Sequence, residues 1–247
     1  MTGSASAITS QRRITVLLFT WAAGSVDAIM YLAGHVFTAN MTGNAVLLGI
    51  AAGQGKSTDA VRSLAALLSF AVGIVIGAML VGEGGKPKRW TLVRRAVLVE
   101  TIILALFTAV CRAPVENSLV ITLMVAVSGL AMGLQSATVK RLNLPGIATT
   151  YITGTITSLF SGLVHHHWGP GTRDQDANAA KSTLRLQAAV FLTYTLAAVA
   201  SGVLYRRWPT AVTLLPLIAI GSVTAYMYFR HYQRQAADSS QSSEIGT

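Results

Sequence analysis

Apolar residues in this chain gather into long uninterrupted runs, not into the alternation that marks a half-buried strand or the stripe of a surface helix. Six runs, residues 14–35, 60–82, 92–111, 117–139, 184–205 and 210–229, reach the length a helix needs to cross a bilayer, roughly 20 residues. Two hydroxyl-rich stretches break the pattern: Thr38-Ala-Asn-Met-Thr-Gly-Asn44 and Thr149-Thr-Tyr-Ile-Thr-Gly-Thr155. Each follows a long apolar segment and opens a run too weak to span comfortably. The expected fold is therefore an all-α integral membrane protein of about six transmembrane helices plus two short half-helices, arranged as two pseudo-repeats.

The repeat is weak but visible. Gly24-Ser-Val-Asp-Ala precedes the first polar stretch, and Gly129-Leu-Ala-Met-Gly-Leu-Gln135 precedes the second. Thr42-Gly43 and Thr153-Gly154 then align at a spacing of 111 residues. These features predict one transmembrane domain, residues 14–230, with halves of about 14–111 and 117–230. Residues 1–13 and 231–247 read as polar tails, the latter disordered. The bland alternative is chance likeness between Gly- and Thr-rich membrane segments, since small residues are common where membrane helices touch.

Composition sharpens the class. The chain is 52% hydrophobic and only 11% charged, with a mean hydropathy of +0.55; a soluble domain carries about a quarter charged residues. The net charge of +10 does not indicate nucleic acid, because the basic residues are spread over loops between the runs. Those charges test the topology instead. With six spans, a cytoplasmic N-terminus and both polar stretches re-entrant, fourteen of the nineteen Lys and Arg residues fall inside and five outside. With both stretches crossing, the split is ten to nine. Positive residues favour the cytoplasmic face, which selects six crossings, and three spans per half makes the repeats inverted. A cleaved signal peptide over 14–35 fits less well, because Asp27 interrupts the run and no small-residue cleavage site follows.

Several residues could carry chemistry. A carboxylate deep in a span is costly, so Asp27 is expected to face the bundle interior or a wet cavity, as a proton carrier, cation ligand or substrate anchor. Its structural alternative is a cap, if the chain breaks near Gly24-Ser25. Glu100 lies well inside the third run; it either titrates during transport or pairs with Arg94 or Arg95, and the pairing is the preferred expectation. Asn40, Thr42 and Asn44 surround Gly43, where a bend is cheap. A half-helix starting there would aim free N–H groups at an anion or carbonyl oxygen. Thr149, Thr150, Thr153 and Gly154 would repeat this from the other side, and Gln135 offers an amide late in the fourth run. Lining of a cavity and ordinary helix contact are the rival readings for both stretches.

The rest is less specific. His165, His166 and His167 are adjacent, so they point apart on a helix, and no cysteine or carboxylate nearby completes a metal set. They read as an interfacial run anchored by Trp168. The lone cysteine, Cys111, allows no internal disulfide and reads as a packed thiol. No phosphate-binding loop, Ser-His-Asp order or zinc-protease signature is found, so no cofactor and no ATP hydrolysis are expected.

The segments Gly24-Ser-Val-Asp27-Ala and Phe37-Thr-Ala-Asn40-Met-Thr42-Gly43-Asn44 resemble the signature of the YoaK-like bacterial membrane family, a domain of unknown function (1275). Gly129-Leu-Ala-Met-Gly133-Leu-Gln135-Ser-Ala and Thr149-Thr-Tyr-Ile-Thr153-Gly154-Thr155 are similar to its second signature. The resemblance covers roughly residues 14–230 and implies a six-spanning protein of the bacterial inner membrane, while naming no substrate.

The sequence thus points to a multi-pass inner-membrane protein, not an enzyme. The expected activity is that of a secondary transporter or permease for a small solute, with the lipid bilayer as its surroundings and a homo-oligomer as one arrangement. The alternatives are a membrane-embedded enzyme acting on a lipid and a non-transporting subunit of a membrane complex.

Overall fold

The computed structural model describes residues 2–82, 89–113, 117–142, 156–157, 160–162, 164 and 174–244. Among these there is no strand. The long elements are α1 (Thr2–Gly34), α2 (Met41–Gly53), α3 (Ser57–Val81), α4 (Arg89–Val110), α5 (Ser118–Leu142), α6 (Asp174–Tyr205) and α7 (Leu214–Glu244). A 3-10 turn, Ala211–Thr213, leads into α7.

A helix stands at each of the six expected spans. Five segments are long and apolar enough to cross: Arg13–Gly34, Ser57–Val81, Ser118–Arg141, Lys181–Tyr205 and Ala211–Gln233. The sixth, α4, has 22 residues, about 33 Å at the helical rise. It is long enough, but Arg94, Arg95 and Glu100 make it more polar than the others. The 13-residue α2 is apolar yet only about 20 Å long, too short to cross. The segments expected as tails differ from that reading: α1 is already helical from Thr2 and α7 continues to Glu244. Residues 4–13 and 231–244 contain no glycine or proline, so nothing stops the helical ladder at the ends of the spans.

Close contacts fix the helix directions. The amide of Gln135 donates to the Phe19 carbonyl, and Gly34 abuts Ile121, so α1 and α5 run antiparallel. Arg62 donates to Ser118, Gly129 lies on Ser69, and Gly77 lies on Leu134 and Ala137, so α3 and α5 run parallel. Arg13 donates to Ser182 and Gly24 lies against Tyr194 and Ala197, which makes α1 and α6 parallel. Thr101 meets Thr224 at 2.7 Å and Thr108 reaches the Thr213 carbonyl at 3.3 Å, which makes α4 and α7 antiparallel.

Two results follow. Because α1 and α3 point in opposite directions, residues 35–56 leave and return on one side; α2 belongs to a re-entrant excursion and is not a crossing. Further, α3 packs on α5 as α6 packs on α1, and α5 meets α4 as α1 meets α7. Exchanging α1, α3 and α4 with α5, α6 and α7 preserves every one of these pairings and reverses every direction. This is the pattern of an inverted repeat.

Glycine makes the α3–α5 crossing close. A Cβ on Gly133 would run into the Phe70 carbonyl, and one on Gly73 into the Leu130 carbonyl. The matching contact in the other pair is Gly24, whose added Cβ would lie 2.5 Å from the Tyr194 carbonyl. Small faces let membrane helices approach where lipid offers no hydrophobic drive. Large apolar side chains such as Val72, Met79, Ile102, Leu196 and Val203 are left on the outside, as a bilayer-facing surface requires.

Candidate functional site

The first polar stretch is built around Asp27. The chain leaves α1 at His35, whose φ of +56° lies in the left-handed region and turns it back toward the bundle. Tyr31 stacks on Phe37 with ring centroids 5.1 Å apart, which lines the turn with aromatic surface. Residues 36–39 then descend beside α1. There the Thr38 and Ala39 N–H groups donate to one Asp27 oxygen at 2.7 and 2.6 Å, and the Tyr194 hydroxyl donates to the other. Asp27 is only 3% exposed and lies seven residues before the end of α1, about 10 Å below it.

Asn44 completes the clamp. Its Oδ1 accepts from the Phe37 N–H at 2.9 Å while its Nδ2 donates to the Phe37 carbonyl at 2.5 Å. Asn40 is the N-cap of α2, accepting weakly from Gly43 N–H at 3.4 Å. A Cβ on Gly43 would sit 3.0 Å from the Phe37 ring, so glycine lets the loop fold onto the helix. The positive end of α2, expected to face a substrate anion or carbonyl, therefore has the chain's own carboxylate at its approach. The capping alternative requires a break near Gly24-Ser25, but α1 runs unbroken to Gly34 and Asn40 is the N-cap of α2. Asp27 instead accepts from two N–H groups of the segment that leads into α2. Asn40 and Thr42 are exposed, whereas Thr38 and Asn44 are buried.

Glu100 is placed very differently. Val93, Val97, Leu104 and Phe107 are all buried on α4, and Glu100 falls in phase with them at three- and four-residue spacing. It is fully buried, and neither of its carboxylate oxygens has a hydrogen-bond partner among the described residues. The pairing expected with Arg94 or Arg95 is not formed. Arg94 places its guanidinium over the Tyr228 ring, 4.7 Å from the centroid, and Arg95 is on the more exposed side of the helix. The reason is angular: positions five and six residues before Glu100 do not share its face.

Gln135 is buried and tied to the Phe19 carbonyl at 3.1 Å, so it joins α5 to α1. Thr149, Thr150, Thr153 and Gly154 lie outside the described residues, as do His165, His166, His167 and Trp168. Cys111 is buried just past α4. No cluster of three or more metal-ligating side chains occurs among the described residues. The residue that sequence reasoning missed is Tyr194, the α6 partner of Asp27. Its only signal was a phenol within an apolar run, a group that seeks a hydrogen-bond partner when buried.

Comparison with known proteins bears on the class. The family model described as Protein of unknown function (DUF1275) matches residues 15–227. A curated relative, the UPF0700 transmembrane protein YoaK of Bacillus subtilis (strain 168), is 39% identical over 155 residues, covering 62% of this chain and 67% of that protein. No solved structure matches.

Proposed function

The chain belongs to the DUF1275 family of membrane proteins, and we propose that it is a secondary permease for a small solute, working without catalysis in the cytoplasmic membrane of a bacterium with its N-terminus inside. The inverted pairing of its two halves carries this reading. An arrangement in which exchanging the halves reverses every helix gives two states of similar packing, each open to one side, which is what alternating access needs. A small re-entrant element held at membrane depth by a buried acid supports the same reading, since irregular backbone at that depth is tolerated only where protein or a water-filled cavity surrounds it.

In this reading Asp27 and Asn44 position the re-entrant loop, Tyr194 links that loop to α6 in the second half, and Gln135 joins the halves near the centre. The pathway runs along the polar stretch from Thr38 to Asn44, whose counterpart in the sequence, Thr149, Thr150, Thr153 and Gly154, lies outside the described residues.

Growth and uptake profiling tests it: a deletion strain is compared across a panel of small solutes after complementation with wild type or Tyr194→Phe. A permease gives a solute-specific defect that wild type restores. Profiles identical with and without the gene across the panel would sink the reading. Topology is checked in a Cys111→Ala background with single cysteines at positions 56 and 140. A membrane-impermeant thiol reagent added to intact cells should modify the first and spare the second.

A further inference from the structure

We infer that Glu100 is a proton-binding site at the centre of the membrane domain, and that a proton is the coupling ion of the permease; the second clause rests on the function proposed above, the first does not. Glu100 is eleven residues into α4, about 16 Å along a helix of about 33 Å, so it sits at mid-depth. The neighbouring hydroxyl, Thr101, touches Thr224 where α4 and α7 cross. Since α4 and α7 are exchanged by the inverted repeat, this crossing lies where the two halves meet. The residue before Thr101 is Glu100, while the residue before Thr224 is Val223, buried at 2%. The acid is thus present in one half only.

An ionised carboxylate without donors in such a place is among the costliest arrangements a fold can hold. Two occupants relieve it, a proton or a metal cation. A cation needs several oxygen ligands at once, six to eight for calcium and a nearly complete octahedron for magnesium. No polar atom of the described residues lies within hydrogen-bonding reach of either Glu100 oxygen, and no cluster of ligating side chains surrounds it. A proton needs no further ligand. The helices packed against α4 supply no competing charge at this depth. On α3, Asp59 and Arg62 stand at the outer end; on α5, Lys140 and Arg141 stand in the last turn. On α7, the exposed Tyr226 and Tyr228 precede Arg230 and His231 toward its far end, and on α4 itself Arg94 and Arg95 lie on other faces. Proton uptake at Glu100 converts a carboxylate to a neutral acid by forming one O–H bond, with no other reactant.

The test uses the full-length protein in phosphatidylethanolamine–phosphatidylglycerol vesicles, read by infrared spectroscopy between pH 5 and pH 10. Wild type should show a protonated-carboxyl C=O band that shifts in heavy water and fades at high pH. Glu100→Gln should lose that band, and Glu100→Asp should retain a displaced one, which serves if the glutamine variant folds poorly. Identical carboxyl bands in wild type and Glu100→Gln, or no such band in wild type at pH 5, would overturn the assignment. Uptake of a solute found by profiling is then measured with and without an inward proton gradient. A Glu100 band with uptake indifferent to the gradient overturns the coupling clause and leaves the proton site standing. Gradient-driven uptake without the band does the reverse.

Discussion

Among the described residues two carboxylates are buried, and their surroundings are opposites. Asp27, 3% exposed, accepts from two backbone N–H groups and a tyrosine hydroxyl. Glu100, 0% exposed, accepts from none of the described residues. A carboxylate that accepts from three donors is tied into the fold, because its removal would leave those donors without an acceptor. One with no donors contributes nothing to the fold by being charged and is free to change state. Depth alone makes an acid in a span suspicious; its hydrogen-bond inventory says what kind of suspicion is warranted. That shifts the titrating role from the first residue to the second and leaves Asp27 to hold the re-entrant loop.

The comparison breaks most directly at Asp27. Truncation to alanine leaves the Thr38 and Ala39 N–H groups and the Tyr194 hydroxyl without their acceptor, each a buried donor. We expect Asp27→Ala to cost about 3–5 kcal/mol, the scale for removing one member of a buried charged network. Equilibrium unfolding in mixed detergent should show it as a large shift of the midpoint. A loss under about 1 kcal/mol would mean that water already reaches the loop, for then the donors would not be stranded.

Glu100 should respond in the other direction. Glu100→Leu replaces an unsatisfied polar group with an apolar one of similar size on a stripe that is otherwise Val93, Val97, Leu104 and Phe107. We expect a gain of about 1–3 kcal/mol, the usual penalty of a buried unpaired polar group, together with loss of solute uptake. A more stable but inactive protein would be the mark of a residue kept for function. Destabilisation by Glu100→Leu in the same unfolding assay would show that the carboxyl has a partner after all.

Much of the fold was legible, for a simple reason: bilayer thickness imposes one length on every crossing, so long apolar runs announce themselves. The charge distribution over loops anticipated the six-crossing arrangement that the helix directions of α1, α3 and α5 support. The site was less legible. Asp27 and the Thr38–Asn44 stretch were visible because polar atoms interrupt apolar sequence, yet sequence could not say that they satisfy one another. Tyr194 lies 167 residues from Asp27, and no local pattern connects the two. Glu100 was readable in principle, since its phase with Val97 and Leu104 puts it on the buried stripe and Arg94 off it. Proximity in sequence to two arginines suggested a pair that helical geometry forbids.

The smaller effects sharpen the contrast between a tightly bonded region and a loosely bonded one. Tyr194→Phe removes one donor from Asp27 while leaving the backbone pair, and should cost about 1–2 kcal/mol, measured again by unfolding in detergent. Near Glu100 the principal polar link between helices is the hydroxyl pair Thr101–Thr224. Both hydroxyls also have a carbonyl within reach on α4, Thr101 at 2.8 Å and Thr224 at 3.4 Å from Val97, so losing the partner leaves neither stranded. A double-mutant cycle of Thr101→Val and Thr224→Val should therefore give a coupling of only about 0.6 kcal/mol, the average for interhelical hydrogen bonds in membranes. A coupling near zero would mean that the Val97 carbonyl satisfies both hydroxyls and that their contact with each other adds nothing to the α4–α7 crossing. A coupling well above about 1.7 kcal/mol, the upper end of that range, would mark the crossing as a rigid joint, ill suited to a centre about which two halves rock.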